Sequence, residues 1–299
     1  LTVHGFPDFL PGEALPTVVE TLNGTGPAKT PAVEPFYVPG TRWQYSGGGT
    51  TVDQLVLSDV MDKSFEQVAD DVTFGPLGMT RSTYENPLPA SHGNIAHAHD
   101  KKGKLVAKPR GWHAFPEKAA SGLWTTPTDY ATMMIALMDS YHGAEGSFLP
   151  RSLAQDMMTE VGASPFGLGP QLVGSAQARR FHHAGANESY RAWMEGHIDS
   201  RNGFVIFTNG EQGSRLYYEV RRAICDAMEW SCYQEKVVPN NLGKDELKTL
   251  VGTYDMPSDI PTGSLRAYGT LRFDAIKVMR QRDGSLAIKL PGHYNSKSY

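Results

Sequence analysis

Apolar residues recur at helical spacing through the first half of the chain and at alternating spacing through the third quarter. Leu15, Val18, Val19 and Leu22 mark one face of a short helix opened by Pro16 and ended by Gly24. Val52, Leu55, Val56 and Val60 predict a second helix. Ser64 with Gln67 three residues on forms a capping box ahead of Phe65, Val68 and Val72, and Gly75-Pro76-Leu77-Gly78-Met79 stops that helix. The clearest helix starts at the cap Thr126 with Pro127 and Asp129 in its first turn, and buries Tyr130, Met133, Met134, Leu137 and Met138. Another, from about Ser152 to Val161, carries Leu153, Met157 and Val161.

The period then changes to two. Residues 166–173, 179–183, 189–198 and 203–209 read as antiparallel hairpin strands, with Phe204-Val205-Ile206-Phe207 expected to be buried on both faces. A covering helix from about Ser214 to Trp230 is expected to turn Leu216, Val220, Ala223, Ile224 and Ala227 to the sheet and Arg221 and Arg222 to solvent. Helices, then strands, then a covering helix predict an α+β fold rather than a βαβ repeat. Residues 1–236 form this unit, with a helical region to about 162 and a sheet region after it. Residues 237–299 read as a linker and a partial small β module, with strands near Leu250–Tyr254, Thr270–Phe273 and Leu286–Leu290 and a hairpin at Arg282-Asp283-Gly284-Ser285.

Composition narrows the partners. The 299 residues are 40% hydrophobic and 20% charged, and 28 basic against 32 acidic side chains leave a net charge of −4. That balance fits a small-molecule or peptide substrate and argues against nucleic acid. No apolar run approaches a membrane span. Leu1 is not an ordinary start, so residues upstream of it are expected. Cys225 and Cys232 lie too far apart to bridge along one continuous helix; if the helix ends near Trp230 a disulfide forms, which would fit an exported protein. Both readings stay open.

Three stretches hold candidate chemistry. Pro39-Gly40-Thr41-Arg42-Trp43-Gln44-Tyr45-Ser46 presents a Tyr-Ser pair at a loop tip, followed by the glycine run Gly47-Gly48-Gly49. A phenol there packs, donates a hydrogen bond, or exchanges protons. His97-Ala98-His99-Asp100 places two imidazoles on one strand face beside a carboxylate, a metal-site pattern without a third ligand at recognisable spacing; the alternative is a solvated loop. His182-His183-Ala184-Gly185-Ala186-Asn187 puts an imidazole on a strand with glycine two residues later. A substrate can lie against such a strand while the backbone N–H past the glycine meets its carbonyl oxygen.

In order and texture the chain resembles the penicillin-recognising serine hydrolases of the class C beta-lactamase type, a group that includes D,D-peptidases, D-aminopeptidases and esterases. The resemblance covers roughly residues 1–232. It rests on Pro39-Gly40-Thr41 with Tyr45-Ser46, Gly75-Pro76-Leu77-Gly78-Met79, Ala120-Ser121-Gly122-Leu123 with Thr126, Phe166-Gly167-Leu168-Gly169, and His183-x-Gly185. In that family a Ser-x-x-Lys motif, a tyrosine loop and a Lys/His-x-Gly strand meet in a cleft between helical region and sheet. The resemblance implies Tyr45 as general acid/base, His183 in the place of the family's lysine as the cation for a substrate carboxylate, and Ala186 N–H as an oxyanion donor. Ser46, Gly47, Gly185 and Asn187 would line the substrate, and no cofactor would be needed. A disulfide would fit a periplasmic or secreted location, with a cytoplasmic one as the alternative.

The departures sharpen this. Gly47 stands where many relatives carry the asparagine that orients a lactam side chain. His183 fits peptidases and esterases as well as lactamases, and Pro170 argues for an edge strand after Gly169. No serine in the chain is followed three residues later by lysine. The nucleophile is therefore expected upstream of Leu1, in a serine hydrolase of amides, lactams or esters with esterase or peptidase-like activity favoured. Two alternatives are a non-catalytic binding homologue that has lost the nucleophile, and a metal-dependent hydrolase using His97, His99 and Asp100. The shared-site reading requires Tyr45 and His183 to approach hydrogen-bond reach, with an exposed apolar face nearby where a nucleophile-bearing helix would pack.

Overall fold

A computed structural model describes residues 7–10, 12–35, 37–38, 40–41, 43–108, 114–162, 164–174, 179–230, 243–255, 275–280 and 286–289. Strands β1 (Gln171–Val173), β2 (Arg180–Asn187), β3 (Tyr190–His197) and β4 (Asn202–Thr208) form one antiparallel sheet in sequence order. Pleating puts Phe181, His183, Gly185 and Asn187 of β2 on one face and Arg180, His182 and Ala184 on the other. The register sets Phe181 opposite Gly196 and His183 opposite Met194. Glycine is required at 196, because an added Cβ would lie 2.4 Å from the Phe181 ring.

Helix α6 (Pro127–His142) packs on the Phe181 face. Its cap is the one the sequence announces, Thr126 accepting from Asp129 N–H. Met134, Leu137 and Met138 meet Phe181, Met194 and Ile198 in the main apolar core, joined by Met158 and Leu172. Phe181 and Ile198 are 0% and 1% exposed. Upstream lie α1 (Val18–Asn23), α2 (Gly47–Met61), α3 (Phe65–Ala69) and α4 (Gly75–Leu77), with a π-helical turn joining α3 to α4. Pro76 therefore sits inside a helical turn, and the stop is Gly78 in the left-handed region. Helix α5 (Lys118–Ser121) precedes α6, and α7 (Arg151–Met157) follows it, ending four residues before the expected Val161. Together with the sheet, this is the expected α+β architecture.

Three expectations fail, each for a packing reason. Strand β4 ends the sheet among the described residues, and although helices lie against both its faces its apolar run is only half-buried. In α2, Thr51 and Gln54 are buried while Val52, Val56 and Val60 are 37%, 51% and 77% exposed. The apolar stripe at i, i+4 and i+8 thus faces outward along the helix. In α8 (Gly213–Ala227) the buried stripe is Gly213, Tyr217, Arg221 and Cys225, while Leu216, Ala223 and Ala227 are exposed. Arg221 faces the sheet because a carboxylate waits there. Cys225 is disulfide-bonded, and Cys232, the chain's other cysteine, lies outside the described residues.

The small β module is a three-stranded antiparallel sheet of β5 (Gly252–Asp255), β6 (Ala275–Arg280) and β7 (Leu286–Lys289). The linker ahead of it contains a helix the sequence reading missed, α9 (Lys244–Thr249). The expected strand at Thr270–Phe273 and the turn at 282–285 lie outside the described residues. Among the described residues no helix is long and apolar enough to cross a membrane.

Under α8 the sheet buries a charge cluster. Glu195 is 0% exposed, and its carboxylate accepts from Arg221 Nε at 2.6 Å and Nη2 at 3.2 Å and from Trp193 Nε1 at 3.3 Å. His197 Nε2 and Arg180 Nε lie 3.3 Å and 3.6 Å from its other side. Burial alone would raise this carboxyl's pKa, but His197, Arg221 and Arg180 outweigh burial and hold it at about 2. A depressed folded pKa contributes stability that is full above the unfolded value, 4.5, and is lost as pH falls from there toward 2. Glu195→Ala should therefore cost about 3–5 kcal/mol at pH 7, because it strands two buried guanidiniums. Urea unfolding at pH 7 and pH 3 checks this: the variant's deficit should shrink at the lower pH, and an equal deficit at both would contradict the pairing.

Candidate active site

Tyr45 is placed by the start of α2. The Ser46 hydroxyl caps that helix, accepting from Gly49 N–H at 3.0 Å. The glycine run is therefore the first helical turn. Gly48 is needed for a different reason, since an added Cβ would come within 2.8 Å of Val33 Cγ1. Immediately before the cap, Tyr45 Oη lies 3.3 Å from His183 Nε2, in hydrogen-bonding contact across 138 residues of sequence. The two rings are nearly parallel, with centroids 6.1 Å apart and planes at 29°.

His183 reaches that position because it sits on the same face of β2 as Phe181, one pleat further along. The β1–β2 register ends at the pair Gln171 and His182. Beyond it, residues 183–187 have β3 on one side and no strand partner on the other among the described residues. Ala184, Gly185 and Ala186 are exposed along this open edge. Nothing inside the fold demands glycine at 185, where an added Cβ would meet only Ala192 Cβ, at 3.4 Å, an ordinary contact.

The third part of the site is tied in by two amides. Gln54 of α2 donates to Pro116 O at 3.1 Å and accepts from Ala119 N–H at 2.9 Å, locking the start of α5 against α2. At the far end of β2, Asn187 Nδ2 donates to Ser121 O at 3.0 Å. The Asn187 amide is thus engaged in holding the Ala-Ser-Gly-Leu segment to the sheet. The site residues expected from sequence divide accordingly: Tyr45 and His183 are in contact, Gly185 and Ala186 line the open edge beside them, Ser46 and Gly47 form the helix cap, and Asn187 is a tether.

Protonation follows from packing. Although 41% of Tyr45 is open to solvent, desolvation against its neighbours pushes the phenol's pKa up. Burial pushes His183 down from its ordinary 6.5, and only a backbone hydrogen bond at Ala184 opposes it. At neutral pH the pair is a neutral phenol and a neutral imidazole, one donor and one acceptor. His183 therefore carries no standing positive charge.

Among the described residues, His97, His99 and Asp100 do not come together as a metal site. Asp100 Oδ1 accepts from Lys102 and Lys104 N–H at 2.8 Å and 2.9 Å, closing its own turn. The backbone of His99 is docked on Asn209 and Glu211, and the His97 carbonyl accepts from Asn209 Nδ2. Among the described residues no group of three or more His, Cys, Asp or Glu converges to hold a metal ion.

Sequence reasoning missed the rings around the pair. Phe166 stacks on Trp43 with centroids 5.1 Å apart, and lies 5.8 Å from Tyr45 and 6.3 Å from His183. Both had been noted only as letters of longer motifs. It missed Glu195 as well, although a glutamate between Trp193 and His197 on one strand face was a visible signal of a buried charge.

Comparisons with known proteins agree with the fold. No curated protein matches the chain. Among solved structures, SurE superposes with a TM-score of 0.58 at 21% identity, covering 89% of this chain and 60% of that one. The octameric penicillin-binding protein homologue from Pyrococcus abyssi gives a TM-score of 0.57 at 19% identity, covering 94% and 60%. The penicillin binding protein from Bacillus halodurans gives 0.52 at 19%, covering 71% and 62%. The chain thus spans about 60% of the length of these structures, which share its fold. The family profile described as Beta-lactamase matches residues 11–227, and the chain belongs to the beta-lactamase family.

Proposed function

We propose that this protein is a serine hydrolase working through an acyl-enzyme, with Tyr45 as its general acid/base and a nucleophilic serine from a Ser-x-x-Lys segment upstream of Leu1. The carrying observation is the 3.3 Å contact between Tyr45 Oη and His183 Nε2, which joins the helical region to the open edge of β2. The exposed Val52, Val56 and Val60 stripe on α2 supports a further helix packing there. In this reading the serine hydroxyl attacks the substrate carbonyl and gives up its proton to the tyrosine–lysine pair. Tyr45 then protonates the leaving group, and water repeats the sequence in reverse to free the enzyme. An ammonium beside Tyr45 would offset the burial that raises its pKa. The N–H of Ala186 would be one donor to the oxyanion, and Gly185 would let the substrate approach the strand.

The substrate is an uncharged ester or amide in preference to a carboxylate-bearing lactam. A neutral His183 offers such a carboxylate no countercharge, and Gly47 offers no side-chain amide. A periplasmic or secreted location fits the disulfide at Cys225. The residues after 236 are a separate small β module on this reading. A non-catalytic binding homologue is the second reading, favoured by the raised phenol pKa.

The complete gene product incubated with a fluorophosphonate should gain one covalent adduct on a serine, and Tyr45→Phe should slow turnover by about 10²–10⁴-fold. Absence of any adduct would favour the binding homologue. A second outcome concerns pH. The imidazolium of His183 forms only below 6.5, so the kcat/KM of nitrocefin relative to p-nitrophenyl acetate should rise as pH falls through that region. A ratio flat from pH 8 to pH 5 would show that His183 does not face the substrate's charge.

A further inference from the structure

The rings beside the Tyr45–His183 pair are built to stay where they are, and they are not needed for the main core. Neither Trp43 nor Phe166 belongs to the cluster of Met134, Phe181 and Met194 that joins α6 to the sheet. Both are half-buried, and Leu168 next to Phe166 is 51% exposed. Yet Phe166 is held on every side of its backbone. Its N–H donates to Ser164 Oγ at 2.9 Å and its carbonyl accepts from Val161 N–H at 3.0 Å. Gly167 passes so close to the end of α7 that an added Cβ would lie 2.0 Å from Met157 O, and its N–H closes a turn onto Pro170 O at 3.0 Å. A loop fixed this firmly presents its ring without an ordering cost.

The ring's position gives it a role. Phe166 lies in tilted contact with Tyr45, edge-on to His183 and face to face with Trp43, the last at 17° between planes. All three centroid separations fall within the range of productive aromatic contact. These contacts put the two rings beside Tyr45 Oη, where a group attached to a carbonyl bound at that oxygen would meet them. A flat apolar group gains desolvation and ring contact there; a methyl group gains little of either.

We propose that Trp43 and Phe166 form the specificity wall of the site and select esters or amides carrying an aryl or similarly flat apolar acyl group over small aliphatic ones. This rests on the hydrolase reading above, which it deepens by naming a substrate class.

The test compares p-nitrophenyl phenylacetate with p-nitrophenyl acetate on the complete gene product. The wild type should prefer the phenylacetyl ester by about tenfold or more in kcat/KM, the size of one good ring contact plus its burial. Phe166→Ala should abolish most of that preference, and Phe166→Leu, which keeps apolar bulk and the fold, should lose part of it. A preference unchanged in both variants, or absent in the wild type, overturns the proposal. A purely positioning role for Phe166 would lower both esters together and leave their ratio intact, which also overturns it. If neither ester is turned over, the hydrolase reading fails separately, and saturation-transfer NMR decides the wall. Phenylacetamide, and not acetamide, should then bind the wild type and lose contact in Phe166→Ala; no phenyl-dependent binding would overturn the wall itself.

Discussion

The seam between α6 and the sheet governs the rest of the molecule. Phe181 fills it with no exposed surface, against Met134, Leu137 and Met138 on one side and the space left by Gly196 on the other. Because side chains on a strand alternate, burying Phe181 toward the helices fixes His183 on the same face. A one-residue slip of β2 would send Phe181 to the other face and carry His183 away from Tyr45. The apolar core and the candidate chemistry are therefore one constraint, and the hydrogen bond between Tyr45 and His183 is a consequence of where Phe181 packs.

The opposite face of the same sheet solves a different problem. There His182 stacks on Trp193 at 4.9 Å, and Arg221 reaches over the same indole to meet Glu195. Burial, with Glu195 opposing, holds His182 at about 4, so it is neutral at physiological pH. The two adjacent histidines of β2 are thus uncharged for the same cause but in different settings. His182 is sealed under α8, whereas His183 opens onto the free edge.

The caps and the core of the helical region were readable because they depend on neighbours in sequence. Thr126 with Asp129 and Ser64 with Gln67 are local hydrogen bonds, and the Met134, Leu137 and Met138 stripe is local periodicity. What was misread depends on partners far along the chain. Part of the face of α8 is misassigned from sequence, although Arg222 is exposed as expected, because Arg221 is inward only if Glu195 is opposite, 26 residues away. The face of α2 was misjudged because the Gln54 side chain spans to Pro116 and Ala119, which no period reveals. The site was half legible for the same reason. Tyr45 and His183 stood out through the order of motifs, while Phe166 acquires its meaning only from the rings that close around it, and Asn187 from the carbonyl of Ser121.

The central proposal is that Tyr45 and His183, joined by their hydrogen bond, belong to one site. A double-mutant cycle on kcat/KM with Tyr45→Phe, His183→Ala and the pair measures this directly. Strong non-additivity is expected, with the double variant little worse than the poorer single one. Additive losses would contradict it, because they would mean that two residues in hydrogen-bonding contact serve the reaction independently.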